Sequence, residues 1–356
     1  MKNCGIIEGF FGTPWSWQVR AAYAEFLKDN GYHFYIYAPK ADSCLRKKWQ
    51  CSWPRETAEH LVNLQAEFHT RNLQFGIGWS PFEAYLGDQV TVSAQLSSKV
   101  RELNALGCDI LCILFDDMYG AIANLAELQI NIVNKIADTT TAKKLIVCPT
   151  YYSFDPILDK VFGQRPQDYL TTLGSRLDSD IDIFWTGSKV ISDSYSSQHI
   201  SEVADILQRP PFLWDNGLAN DGAKSSLFLH LNGFSDRARV VNENISGLAI
   251  NPMNQAHLSQ IALKSLTEST RADIDQQGTD TLFDRVCRTL CGEQLASLIS
   301  QDLAPFQVKG LDNLERDGEL NHLIEKYKNY LHNPCAQEIY DWLNGKYRFD
   351  PNCLTE

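Results

Sequence analysis

The sequence predicts an α/β fold: a (β/α)8 TIM barrel carrying a small C-terminal helical region. Eight short apolar runs, rich in β-branched and aromatic residues, recur over roughly the first 270 residues. Helical patterns separate them, and glycines and polar residues gather where the runs stop. Strands alternating with helices imply βαβ units and a parallel sheet. Eight such units in about 270 residues suit a closed barrel better than an open doubly wound sheet.

The runs are Cys4–Phe11, His33–Ala38, Leu73–Trp79, Asp109–Phe115, Leu145–Cys148, Ile181–Trp185, Pro211–Trp214 and Gly247–Ile250. Most are continuously apolar rather than alternating, as parallel strands buried on both faces should be. Between them, Leu61, Leu64 and Phe68 form one apolar stripe within 55–71. Leu96, Val100, Leu103 and Leu106 form another within 94–106, with Gly107 placed to end that helix.

From about Thr270 the alternation stops, which divides the chain into a barrel over 1–270 and a helical region over 271–356. Leu320, Leu323, Ile324, Tyr327, Tyr330 and Leu331 predict an amphipathic helix there. Its apolar face is expected either to pack on the barrel or to join a homodimer.

Composition narrows the partners. The net charge of -12 repels phosphate backbones and anionic headgroups, so neither nucleic acid nor a membrane surface is expected. A neutral sugar meets no such barrier. Ten cysteines occur without a paired CxxC array, and several lie inside apolar runs, as for reduced thiols in a cytoplasmic protein. The first strand begins near Met1, which leaves no room for a signal peptide.

In such a barrel the chemistry sits at the C-terminal ends of the strands. Those ends read Glu8-Gly9-Phe10-Phe11-Gly12, Ala38-Pro39-Lys40, Phe115-Asp116-Asp117, Cys148-Pro149-Thr150-Tyr151-Tyr152, Trp185-Thr186-Gly187, Trp214-Asp215-Asn216 with Asn220-Asp221, and Asn251-Pro252. Any one polar residue there has a plain loop explanation. Together they describe a mouth of carboxylates, amides and aromatic faces, as sugar recognition requires.

Asp116 and Asp117 are the sharpest feature. They follow the buried run Ile113-Leu114-Phe115, where two charges are costly unless paired, hydrated or functional. Repulsion and burial should raise at least one pKa, which suits a general acid. A helix N-cap accounts for one aspartate better than for two. None of the eight histidines forms HxH or HExxH, so no metal or other cofactor is expected. GxGxxG, GxxxxGK[ST] and GxSxG are absent as well.

These stretches, in this order, resemble glycoside hydrolase family 84, the protein O-GlcNAcase and bacterial β-N-acetylglucosaminidase family. The resemblance runs from Gly5-Ile6-Ile7-Glu8-Gly9-Phe10-Phe11-Gly12 and Tyr37-Ala38-Pro39-Lys40 through Phe115-Asp116-Asp117 to Asn251-Pro252, covering roughly residues 4–269. It implies a retaining exo-β-N-acetylglucosaminidase acting on a GlcNAc-bearing glycoside or glycoprotein. Catalysis would be substrate-assisted, through an oxazoline. Asp116 would orient the acetamido N–H, and Asp117 would serve as acid and then base. Gly9 and Lys40 would contact sugar hydroxyls, and Tyr152 the acetamido oxygen. Thr186 and Trp214 would line the acetamido pocket, while Asn216, Asp221 and Asn251 would grip ring hydroxyls. Phe11 and Ala41 stand where the family often has Tyr and Asp. A GlcNAc-binding pseudoenzyme and a metal-dependent barrel hydrolase are the competing expectations.

Overall fold

A computed structural model describes residues 3–232, 244–271 and 276–354. Eight parallel strands close into a barrel in chain order: β1 (Cys4–Glu8), β2 (Phe34–Tyr37), β3 (Gln74–Trp79), β4 (Ile110–Leu114), β5 (Lys144–Cys148), β6 (Asp182–Trp185), β7 (Phe212–Asp215) and β8 (Gly247–Ile250). Closure is explicit at β1, where Gly5 pairs with Phe34 of β2 on one side and with Ala249 of β8 on the other. Each strand falls within one residue of an apolar run. The first run is longer than its strand because Gly9–Phe11 leave the ladder to form the loop above it. Inside the wall, the rings of Phe34, Phe212 and Phe184 meet with centroids 5.9 and 5.3 Å apart.

Helices cover the outside. Those between the strands are α1 (Trp17–Asp29), α2 (Arg55–Thr70), α3 (Gln89–Leu106), α4 (Leu125–Ala137), α5 (Pro156–Phe162), α6 (Tyr169–Arg176) and α7 (Ser197–Leu207). Helix α2 buries Leu61, Leu64 and Phe68 against the barrel. Helix α3 starts earlier than its apolar stripe because Asp88 caps it, accepting from the Thr91 N–H at 2.9 Å. It ends at Gly107, whose φ of 77° is the left-handed value that glycine adopts without penalty.

After β8, α8 (Ala256–Arg271) completes the ring, and α9 (Gln276–Cys291), α10 (Glu293–Gln301), α11 (Leu311–Arg316), α12 (Leu320–Lys328) and α13 (Pro334–Leu343) follow. Helix α13 docks on the barrel. Its Glu338 carboxylate accepts from the His257 and Leu258 N–H groups at 3.0 and 2.9 Å, in the first turn of α8. Its Trp342 is fully buried and donates from Nε1 to the Ser226 carbonyl at 3.1 Å. In α12, Leu323 and Tyr327 are buried, each contributing roughly 1.5–3 kcal/mol. The predicted stripe does not run through to its end: the helix stops at Lys328 and Leu331 is exposed. Asn333 and Pro334 begin the next helix, and the residue before a proline is kept out of the α region. Among the described residues, no helix is long and apolar enough to cross a membrane.

Candidate active site

Strand β4 delivers the two aspartates. Its exit is fastened to β5, because the Phe115 N–H donates to the Cys148 carbonyl at 2.9 Å and Thr150 Oγ1 donates to the Phe115 carbonyl at 2.8 Å. The backbone then turns sharply. Asp117 has φ 58°, in the left-handed region that non-glycine residues seldom occupy. Aspartate tolerates it better than most, and such conformations collect at functional sites. The turn separates two adjacent carboxylates: the Asp116 side chain is 9% exposed and that of Asp117 26%.

Lys40, from the loop after β2, reaches between them. Its ammonium pairs with Asp116 Oδ2 and lies 3.8 Å from Asp117 Oδ2. Burial opposes the ammonium, but the two carboxylates outweigh it and raise its pKa, so Lys40 is charged. Asp116 Oδ1 is buried and has no hydrogen-bond partner. A buried carboxylate oxygen without a donor costs free energy, and it marks a place for a ligand N–H or O–H.

Asp117 differs. Burial pushes its pKa up, Lys40 and Arg46 pull it down, and Asp116 and Asp221 push it up again; the net direction is upward. A raised carboxyl can hold a proton nearer neutral pH, as a general acid must. Tyr152 faces the same pair. Burial and then the Asp117 and Asp116 charges raise its pKa well above 10, so its hydroxyl keeps its proton.

The opposite strands supply amides and an aromatic wall. The Gly9 N–H donates to Asn251 Oδ1 at 3.1 Å, and Asn251 Nδ2 donates to Asn216 Oδ1 at 3.0 Å. Trp214 Nε1 donates to the same Asn216 oxygen at 2.8 Å, while Asn216 Nδ2 donates to the Val190 carbonyl at 3.1 Å. This network fixes the amides and the Trp214 ring. Gly9 is required here: a Cβ on it would lie 2.5 Å from Trp214 Cζ2. Asp221 Oδ2 accepts from the Phe11 N–H at 2.8 Å, and burial raises its pKa despite that bond. Thr186 donates from Oγ1 to the Lys189 carbonyl at 2.9 Å, ordering the loop after β6.

All ten residues singled out from the sequence line one cavity: Gly9, Lys40, Asp116, Asp117, Tyr152, Thr186, Trp214, Asn216, Asp221 and Asn251. Its volume of about 210 Å³ far exceeds the roughly 30 Å³ share of one water, so it can take a small organic ligand. The sequence reading missed Val190 and Ile191, from the loop after β6, and Phe349, from beyond α13. No strand-end signal marks such residues. Phe11 also lines the cavity, with the Arg46 guanidinium 5.4 Å from its ring centre. Glu8, although at a strand end, stays out of the cavity, held by Arg20 at 2.6 Å and by the Tyr35 hydroxyl at 2.5 Å. Among the described residues, no group of three or more His, Cys, Asp or Glu side chains is placed to hold a metal ion.

Comparison with known proteins identifies the family. The family model described as beta-N-acetylglucosaminidase matches residues 4–301. The proteins named protein O-GlcNAcase from Rattus norvegicus and Mus musculus are each 30% identical over 294 residues, covering 79% of this chain and 31% of theirs. The chain therefore spans about a third of the length of those relatives. A solved O-GlcNAc hydrolase mutant from Thermobaculum terrenum superposes with a TM-score of 0.76 at 26% identity, covering 97% of this chain and 74% of that one. With a matched region that runs through all eight strands and both aspartates, the chain belongs to the beta-N-acetylglucosaminidase family, glycoside hydrolase family 84.

Proposed function

We propose that this chain is a retaining exo-β-N-acetylglucosaminidase, similar to an O-GlcNAcase, that hydrolyses terminal β-linked GlcNAc by substrate-assisted catalysis. The observation that carries the reading is the state of the two aspartates. Asp116 has one oxygen on Lys40 and the other buried without a partner, while Asp117, beside it, has a raised pKa.

The steps follow from that arrangement. Asp116 Oδ1 accepts the acetamido N–H and orients the carbonyl oxygen toward the anomeric carbon. That oxygen attacks and forms the C–O bond of an oxazoline ring in its protonated form, the nitrogen keeping the proton that it donates to Asp116 Oδ1. The glycosidic C–O bond breaks, and Asp117 gives its proton to the departing oxygen. Asp117, now a carboxylate, then takes a proton from water as the water attacks the anomeric carbon from the vacated face. The oxazoline opens, GlcNAc leaves with its β configuration retained, and Asp117 is protonated again. In this reading Tyr152 donates to the acetamido oxygen and Thr186 and Trp214 enclose the acetamido group. Asn216, Asp221, Asn251, Gly9 and Lys40 hold the hydroxyls.

Hydrolysis of a chromogenic β-GlcNAc glycoside tests the proposal, with inhibition by a thiazoline analogue of the oxazoline. Turnover is expected between about pH 5 and 8, unchanged by strong chelation. Binding of the thiazoline without turnover would make the protein a sugar-binding pseudoenzyme, and loss of turnover on chelation would make it a metal-dependent hydrolase.

Four further parts belong to this proposal. GlcNAc-bearing protein is the favoured substrate class, because the mammalian relatives bear the name protein O-GlcNAcase. A reducing, cytoplasmic setting is supported by nine free cysteines among the described residues, most of them buried. The barrel over 1–270 forms the catalytic unit, and the helices over 271–356 adjoin it. A homodimer through those helices belongs to the same reading and is tested by sedimentation; Val308, 75% exposed in that region, leaves an apolar side chain for such a contact.

A further inference from the structure

The C-terminal segment reaches the cavity. Phe349 lies almost a hundred residues beyond the last barrel strand, yet it lines the same cavity as Asp221 and Gly222. The segment that carries it is anchored by two bonds to one residue. The Phe349 N–H donates to Ser226 Oγ at 3.2 Å, and Trp342 Nε1 donates to the Ser226 carbonyl at 3.1 Å. Ser226 is buried, and its own N–H donates to the Gly222 carbonyl at 2.9 Å. The Gly222 N–H is in turn held by Ser225 Oγ at 2.9 Å. The turn that presents Asp221 is therefore latched to the tail, and the tail adds Phe349 to the lining of the cavity. A partly exposed phenyl ring gains most by covering an apolar surface, and the C–H face of a sugar ring is such a surface.

We propose that Phe349 is a substrate-contacting specificity residue, packing against the terminal sugar on the Asp221 side of the site. The inference rests on the functional reading above, since it takes the cavity to hold GlcNAc. It assigns the C-terminal region a direct part in substrate recognition rather than a purely supporting one.

The experiment compares Phe349→Ala and Phe349→Leu with the unaltered chain, on GlcNAc glycosides with different aglycones: nitrophenyl, umbelliferyl and a glycopeptide. Phe349→Ala is expected to raise KM roughly tenfold, as loss of a contact worth one factor of ten would, with kcat within a factor of about two. The factor should be the same for every aglycone, and Phe349→Leu should recover most of it. A KM within twofold of the unaltered chain overturns the proposal, and so does a KM effect that varies with the aglycone. Loss of kcat with KM unchanged also overturns it, because that is what a misplaced Asp221 turn would produce. If the unaltered chain hydrolyses no substrate, the functional reading itself has failed. Calorimetric titration of the thiazoline into both proteins then decides the contact: about tenfold weaker binding to Phe349→Ala sustains it, and equal affinity removes it.

Discussion

Lys40 occupies one oxygen of Asp116 and leaves the other without a protein partner. A buried ion pair is weak evidence for stability, since desolvation offsets most of the attraction. It is better understood here as orientation: the lysine fixes which oxygen of Asp116 remains for the ligand. Lys40→Met would leave a buried carboxylate unpaired, a change that typically costs about 3–5 kcal/mol. The expected outcome is a loss of unfolding free energy of that order, and kcat should fall at least a hundredfold. Denaturant unfolding and steady-state kinetics read the two effects. A variant with normal kcat would show that Asp116 needs no fixed charge partner.

Asp117 stands at φ 58°, which makes the choice of substitution matter. Asparagine tolerates the left-handed region and alanine does not, at roughly 1–2 kcal/mol. Asp117→Asn should therefore unfold close to the unaltered chain, and Asp117→Ala earlier. The kinetic signature should separate the two aspartates. Asp117→Asn is expected to slow poor leaving groups far more than activated aryl ones, because only the former need the proton. Asp116→Asn should slow both, because the acetamide loses its acceptor. Equal losses across leaving groups for Asp117→Asn would remove its role as acid.

Arg46 presents an unusual guanidinium: buried between the rings of Phe11 and Phe82 at 5.4 and 5.1 Å, with Nε and Nη1 lacking hydrogen-bond partners. Its charge pulls the Asp117 pKa down against burial. An acid must be protonated to act, so activity disappears as pH rises through its pKa. Arg46→Met removes the downward pull, and the basic limb of the kcat/KM profile should move to higher pH. A limb that stays in place, or moves lower, would show that Arg46 does not act on Asp117.

Most of the architecture was legible because the eight strands are buried on both faces and so carry continuous apolar runs. Apart from the first, whose run continues three residues past its strand, their ends could be located to within a residue, and all ten candidate residues lie at those ends or in the loops that follow them. What escaped was whatever depends on the path of a loop or on a distant segment. Ile191 comes from the loop after β6, held where Asn216 Nδ2 meets the Val190 carbonyl. Phe349 reaches the site through Ser226 and Trp342, a relation that no local pattern encodes. The sequence also gave no sign that Lys40 would turn to Asp116, because a strand-end lysine can equally face a ligand. The helix predicted through Leu331 stops at Lys328, and a turn through 329–333 leads into the next helix.

Glu338 joins the C-terminal helices to the barrel through the first turn of α8, and it carries a pH dependence. Two N–H donors favour its carboxylate, but burial is the larger effect, and its pKa is pushed up from 4.5 to about 7. A carboxyl raised in the folded state contributes stability that is complete below its unfolded value and fades as pH rises through the folded one. The window here runs from about pH 4.5 to 7. At about 1.4 kcal/mol per pH unit, that span corresponds to roughly 3 kcal/mol as an upper figure. Glu338→Gln keeps an acceptor for one N–H and never ionises. The unfolding free energy of the variant relative to the unaltered chain should therefore rise by up to about 3 kcal/mol between pH 4.5 and 8, whatever the other carboxyls do, since they are common to both proteins. Parallel stability curves across that range would mean that the two N–H bonds hold Glu338 ionised throughout, with the charge settled at the start of α8 by the helix dipole.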